Sequence, residues 1–135
     1  MVYNQCMAKL IFPILFLTLL SCSKEERYSA SQMWKMAQAK EPNIELVIIK
    51  DPARRILCEN YHVDGCIKGS GKRIKVRLVE LIAIEFESEK QARQAAKTYN
   101  QYYARNWFFD DVSGEPVLED FVKDVFKASN PNLLK

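Results

Sequence analysis

The sequence predicts one α+β domain built on an antiparallel sheet. Three observations predict it. Residues 73–87 alternate apolar and polar side chains over their first half, which is the period of a half-buried strand. Residues 88–105 instead repeat Ala92, Ala95, Ala96, Tyr99, Tyr102 and Tyr103 at spacings of three and four, which describes an amphipathic helix. Gly69-Ser70-Gly71 is a tight-turn signal that joins a weak strand or loop at 61–67 to the long strand.

The elements follow in order. Ser31 caps a helix through residue 40, with Met33, Met36, Ala37 and Lys40 on one face and Trp34 on its flank. Glu41-Pro42 ends it, because a residue before proline disfavours the helical region. Residues 44–50 hold four consecutive apolar side chains, Leu46 to Ile49, which predicts an inner strand covered on both faces. Asp51-Pro52 sets a capping residue before a proline and predicts a short helix to about Cys58, with an extended arm as the alternative. In the long strand Ile74, Val76, Leu78, Ile82, Ile84 and Phe86 share a face, and a bulge near Glu80 accounts for its length. Ser88 with Gln91 makes a capping box for the next helix, expected through about Arg105. Trp107-Phe108-Phe109 reads as a short strand through Val112. Ser113-Gly114-Glu115-Pro116 turns into a last helix with Leu118, Phe121, Val122 and Val125 inward, stopped by Asn130-Pro131. Core packing is the expected role of Tyr102, Tyr103 and the aromatic run after them.

With the first and last helices set aside, residues 43–112 read βαββαβ. That order resembles the ferredoxin-like split βαβ arrangement. The expected domain is therefore a ferredoxin-like antiparallel sheet with extra N- and C-terminal helices.

Residues 1–21 carry the three parts of a secretory signal: a polar start with Lys9, an apolar run from Leu10 to Leu20 interrupted at Thr18, and a small residue, Ser21, before Cys22. The run is about half of the roughly 20 residues that a membrane-spanning helix needs. Leu19-Leu20-Ser21-Cys22 resembles the lipobox of bacterial lipoproteins. The resemblance implies a diacylglycerol on the Cys22 thiol and cleavage before it. Ser23, standing where an aspartate would retain the product in the inner membrane, implies the outer membrane, with the domain facing the periplasm. The expected organisation is a signal peptide at 1–21, a lipidated tether at 22–30 and a single domain at 31–135.

Loss of Lys9 with the signal leaves 19 of the 20 lysines and arginines against 17 acids, a balance that argues against a nucleic-acid partner. Of the four cysteines, the resemblance implies that Cys6 leaves with the signal and Cys22 carries lipid, so Cys58 and Cys66 remain. A pair in an oxidising compartment forms a disulfide by default. Seven intervening residues do not make a redox-active pair. His62 is the only histidine, so a zinc site lacks ligands.

No nucleophile elbow or phosphate-cradling glycine loop is present. Asp110, Asp111 and Glu115 form the one acidic group on which a small metal-dependent hydrolase could be built. Their spacing departs from the alternate-acid calcium loop, and the plainer account is a solvated turn that favours the start of the last helix. The best functional signal is electrostatic. Lys68, Lys72, Arg73, Lys75 and Arg77 lie in a stretch, 65–79, without any acid, whereas 110–124 holds six acids against Lys123. Arg73, Lys75 and Arg77 are expected on one strand face, with Arg54 and Arg55 near, where they would meet lipid headgroups, envelope polysaccharide or an acidic protein. The expected function is a non-catalytic binding or accessory module of the cell envelope, attached to the membrane through its lipid, with an envelope protein or anionic partner and no cofactor. A purely structural spacer is the further alternative.

Overall fold

In the computed structural model, which describes residues 26–133, the longest predicted strand is a hairpin. β1 (Glu45–Val47) comes first, and β2 (Lys72–Val76) and β3 (Val79–Glu85) then pair antiparallel, with Arg73 opposite Ile82, Ile74 opposite Leu81 and Val76 opposite Val79. Arg77 and Leu78 make the reversal, and Arg77 takes left-handed backbone at φ 56°. Two-residue turns favour glycine or asparagine at positive φ, so an arginine gives no turn signal. The bulge expected near Glu80 is thus a turn three residues earlier. Every side chain after it changes face: Ile74 and Val76 lie on the side of Leu81 and Ala83, while Ile82, Ile84 and Phe86 lie on the other.

Five strands form one sheet in the order β1-β2-β3-β5-β4, with every neighbouring pair antiparallel. α2 (Glu89–Tyr99) links β3 to β4 (Tyr102–Ala104), and β5 (Trp107–Asp110) lies between those two strands. β1 pairs directly with β2. The α+β antiparallel class therefore holds, but the strand order is not the ferredoxin-like one, which needs a second helical crossover. The chain between β1 and β2 contains only two short 3-10 turns, Pro52–Arg54 and Cys58–Asn60. The apolar run at 46–49 is not an inner strand either. β1 is an edge, with Leu46 51% exposed in it and Ile48, just past its end, 79% exposed.

α2 stops six residues short of its expected end. Asn100 adopts the left-handed conformation and its N–H closes on the Ala96 carbonyl. Tyr102 and Tyr103 continue the helical spacing of Tyr99 by coincidence. Tyr102 and Ala104 instead alternate inward along β4.

Both faces of the sheet are covered. On one, α1 (Ala30–Lys40) and α3 (Pro116–Phe126) enclose Leu81, Ala83, Tyr102, Trp107 and Phe109. On the other, Ala92, Ala95 and Ala96 of α2 pack on Ile82, Ile84, Phe86 and Phe108, and the 56–66 loop adds Ile56, Tyr61, Val63 and Cys66. α1 begins earlier than expected, because the capping box is Ser29 with Gln32. The Ser88 hydroxyl accepts from the Gln91 N–H as expected, and α3 starts at Pro116 behind the Glu115 carboxylate. Gly65 (φ 89°) lets the loop lie against Gln91, where any Cβ would overlap the glutamine side chain. Phe108, fully buried, meets Tyr61 and Phe86 edge-to-face at ring distances of 5.7 and 6.1 Å. Phe108→Ala should lower stability by about 3–5 kcal/mol, measured by urea unfolding.

Candidate functional site

The five basic residues do not form one surface. Lys72 lies on the α1 side of β2, beside Leu46 and Trp34. Arg73 and Lys75 lie on the α2 side, opposite Ile82 and Glu80. Arg77 occupies the hairpin turn and pairs with Glu41 at 3.1 Å. Lys68 is exposed in the loop after Cys66. Arg73 is turned inward: its side chain is 15% exposed and reaches Glu80 at 3.8 Å, while Arg54 holds the same carboxylate at 3.3 Å. The expected row fails at the unrecognised turn, since alternation from 73 to 77 assumes an unbroken strand.

The disulfide between Cys58 and Cys66 is present and closes the loop that covers the α2 face. Cys66 also bridges to Phe86, tying the loop to the end of β3. Its inner contact is Tyr61, whose hydroxyl donates to Asp110 Oδ2 at 2.6 Å. Burial, then the bond to Asp110, pushes the Tyr61 phenol well above its usual range, which keeps the donor proton in place. Burial and the neighbouring Asp110 charge also raise the Asp111 carboxyl, with Arg73 opposing them. Asp111 has left-handed backbone at φ 61°. Glu115 caps α3 through the Val117 N–H at 3.4 Å. Asp110 thus holds the loop through Tyr61 and the turn through the Asp111 N–H, and Glu115 holds the helix start, whereas Asp111 lies in the turn between them. Among the described residues no group of three or more His, Cys, Asp or Glu side chains is placed to hold a metal ion. His62 is exposed, and its backbone N–H donates to the Tyr99 hydroxyl at 2.9 Å. With Asp64, Ser88, Lys90 and Gln91 it borders an open groove of about 430 Å³.

The most elaborate polar site is one that sequence reasoning missed. Asn106, 1% exposed in the turn between β4 and β5, accepts the Tyr28 N–H at 2.8 Å and donates to the Tyr28 carbonyl at 3.3 Å. Trp107 Nε1 donates to the same carbonyl at 2.9 Å. The Arg105 guanidinium lies 4.0 Å over the Tyr28 ring and pairs with Glu26 at 2.6 Å. Arg27 donates to the carbonyls of Phe86 and Glu87. Residues 26–29, assigned to the tether by sequence, therefore pack on the domain. An asparagine in a turn reads as a turn residue, and no spacing reveals that its amide faces inward. Cys22 lies outside the described residues.

The two edges of the sheet differ. On β4, Tyr103 and Ser129 exchange N–H···O bonds at 3.0 Å in both directions, so the segment after α3 closes that edge. β1 has no strand on its outer side among the described residues. No family model, no curated protein and no solved structure matches the chain.

Tyr61→Phe should cost about 1.5–3 kcal/mol, the scale of a hydrogen bond to a charged group. Asp111→Asn should raise the melting temperature at neutral pH, because the folded state holds that carboxyl's proton more tightly than the unfolded chain does. The penalty of ionising it is absent below the ordinary carboxylate pKa of 3.8 and grows as pH rises through the raised value. The advantage of the variant should therefore vanish in acid, as thermal melts between pH 3 and 7 would show.

Proposed function

We propose that the protein is a lipid-anchored envelope protein of the bacterial outer membrane, with a periplasm-facing domain that serves as a non-catalytic binding module. The lipobox-like residues 19–22 support the anchor. The Cys58–Cys66 disulfide is in keeping with an oxidising compartment. The observation that carries the reading is the clamp on Glu26 to Tyr28. Only residues 23–25 separate it from Cys22. Four extended steps span roughly 14 Å, so a lipid on Cys22 would keep the domain at the bilayer in a restricted orientation.

The placement of the cations favours headgroups as the anionic partner. Lys72 starts β2, and Lys68 follows Ile67, whose N–H bonds to Glu85 at the end of β3. Arg27 grips the carbonyls of Phe86 and Glu87 at this same end. Arg73 and Arg77 are engaged by Glu80 and Glu41. The hydrolase alternative draws no support from Asp110, Asp111 and Glu115, of which Asp110 is bound by Tyr61 and Glu115 caps α3.

Protein purified from membranes should begin at residue 22 with the mass of a diacylglyceryl cysteine, and Cys22→Ser should release an unmodified chain to the soluble fraction. A start at Met1, or membrane partition indifferent to Cys22→Ser, overturns the anchor. For the unlipidated chain, Lys68→Gln and Lys72→Gln should each weaken binding to phosphatidylglycerol vesicles by about 1 kcal/mol. Arg77→Gln should leave that binding unchanged.

A further inference from the structure

We infer that the groove between residues 62–64 and α2 is a binding site for a neutral saccharide. Its two walls are fixed before any ligand arrives. On one side the loop is tied at both ends. The Tyr99 hydroxyl accepts the His62 N–H at 2.9 Å, the Gly65 carbonyl accepts the Glu87 N–H at 2.8 Å, and the disulfide holds Cys66. On the other side the Gln91 side chain lies against Gly65, where only a residue without a Cβ leaves it room, and its Oε1 accepts the Ser88 hydroxyl at 3.0 Å. A site whose walls are already ordered loses little entropy when it is filled.

The side chains left over are those that a row of hydroxyl groups needs. The loop covers the core with Tyr61, Val63 and Cys66. His62 and Asp64 are instead exposed on the groove, and so is Lys90 across from them. None of these three side chains has a partner among the described residues. Gln91 spends its Oε1 on Ser88 and keeps Nε2 to donate. Gln94 gives one Nε2 hydrogen to Thr98 at 3.3 Å and keeps Oε1 to accept, while Thr98 keeps its hydroxyl hydrogen. Positions 91, 94 and 98 share one stripe of a helix, so donor, acceptor and donor alternate along α2. A hydroxyl group both donates and accepts and can follow such a row, whereas an anion only accepts. The charges agree with this, since Asp64 offsets Lys90 and no cluster of cations is present to hold an anion. Val63 borders the same groove and offers the C–H face of a sugar ring an apolar contact. The volume, about 430 Å³, is in the range of small-ligand sites. The inference needs neither the lipid anchor nor the cations near the ends of β2 and β3.

Two-dimensional NMR of the isotope-labelled full chain, in a detergent without a sugar headgroup, tests it. The probe is N,N′-diacetylchitobiose, whose acetamido groups present both N–H and C=O to the glutamines. At millimolar concentration it should shift the side-chain amide signals of Gln91 and Gln94, and inorganic phosphate should leave them in place. Gln94→Ala and His62→Ala should each weaken binding about fivefold, the scale of one lost hydrogen bond. Lys90→Gln should leave it unchanged. All three positions are exposed, and an unaltered spectrum away from the groove would show that each variant is folded. A disaccharide that moves neither glutamine amide, binding indifferent to both alanine variants, binding lost with Lys90→Gln, or phosphate that shifts the same signals overturns the inference.

Discussion

A buried amide that takes the place of a neighbouring strand joins the start of the chain to the domain. The Asn106 side chain offers Tyr28 both an acceptor and a donor, and Trp107 Nε1 adds a second donor to the same carbonyl. Buried polar groups are tolerated only when paired, so the Tyr28 peptide and the Asn106 amide require one another. Much follows from this. Residues 26–28 are held against the ends of β3 and β5, which brings Ser29 to where it caps α1. α1 in turn covers Leu81, Ala83 and Trp107 together with α3. Under the proposed lipidation of Cys22, a domain held in this way would transmit its orientation to whatever it binds.

The second constraint is that β3 and β5 are apolar on both sides. Leu81 and Ala83 face α1 and α3, whereas Ile82, Ile84 and Phe108 face α2. One helix cannot cover the α2 face as far as β2, and residues 52–70 complete it with little regular structure of their own. Such a segment is stabilised chiefly by staples. The disulfide closes a short ring worth about 2–3 kcal/mol of chain entropy. The Tyr61 hydroxyl on Asp110 and the Cys66–Phe86 bridge then fix where the ring sits. Asp110 and Glu115 of the 110–115 turn are accordingly engaged in holding the fold.

The legible parts of the sequence were those whose signals are local. Ser88 before an alanine-rich period, Pro116 behind Glu115 and the cysteine pair each act through near neighbours, and each appears where expected. The misreadings share a cause. Arg77, Asn100 and Arg105 all take positive φ without being glycine, and at each one the chain reverses or a helix ends while the side-chain pattern runs on. The Arg77 turn therefore went unseen, and with it the true faces of Arg73 and Lys75. The end of α2 at Asn100 hid β4. Leu46 to Ile49 read as an inner strand because hydrophobicity records what favours burial, not whether a neighbouring strand exists. The Asn106 clamp was least legible of all, since its partner lies 78 residues away. The resemblance to a lipobox is likewise a local signal, and under the proposed function its consequence runs through the clamp.

Amide hydrogen exchange at Tyr28 in the full chain tests that clamp most directly. The Tyr28 N–H should be protected to the same degree as the amides of β3, and Asn106→Ala should abolish that protection first. Exchange of Tyr28 at the rate of an open chain while β3 stays protected would contradict the account, because the domain would then hang freely from its N-terminal segment.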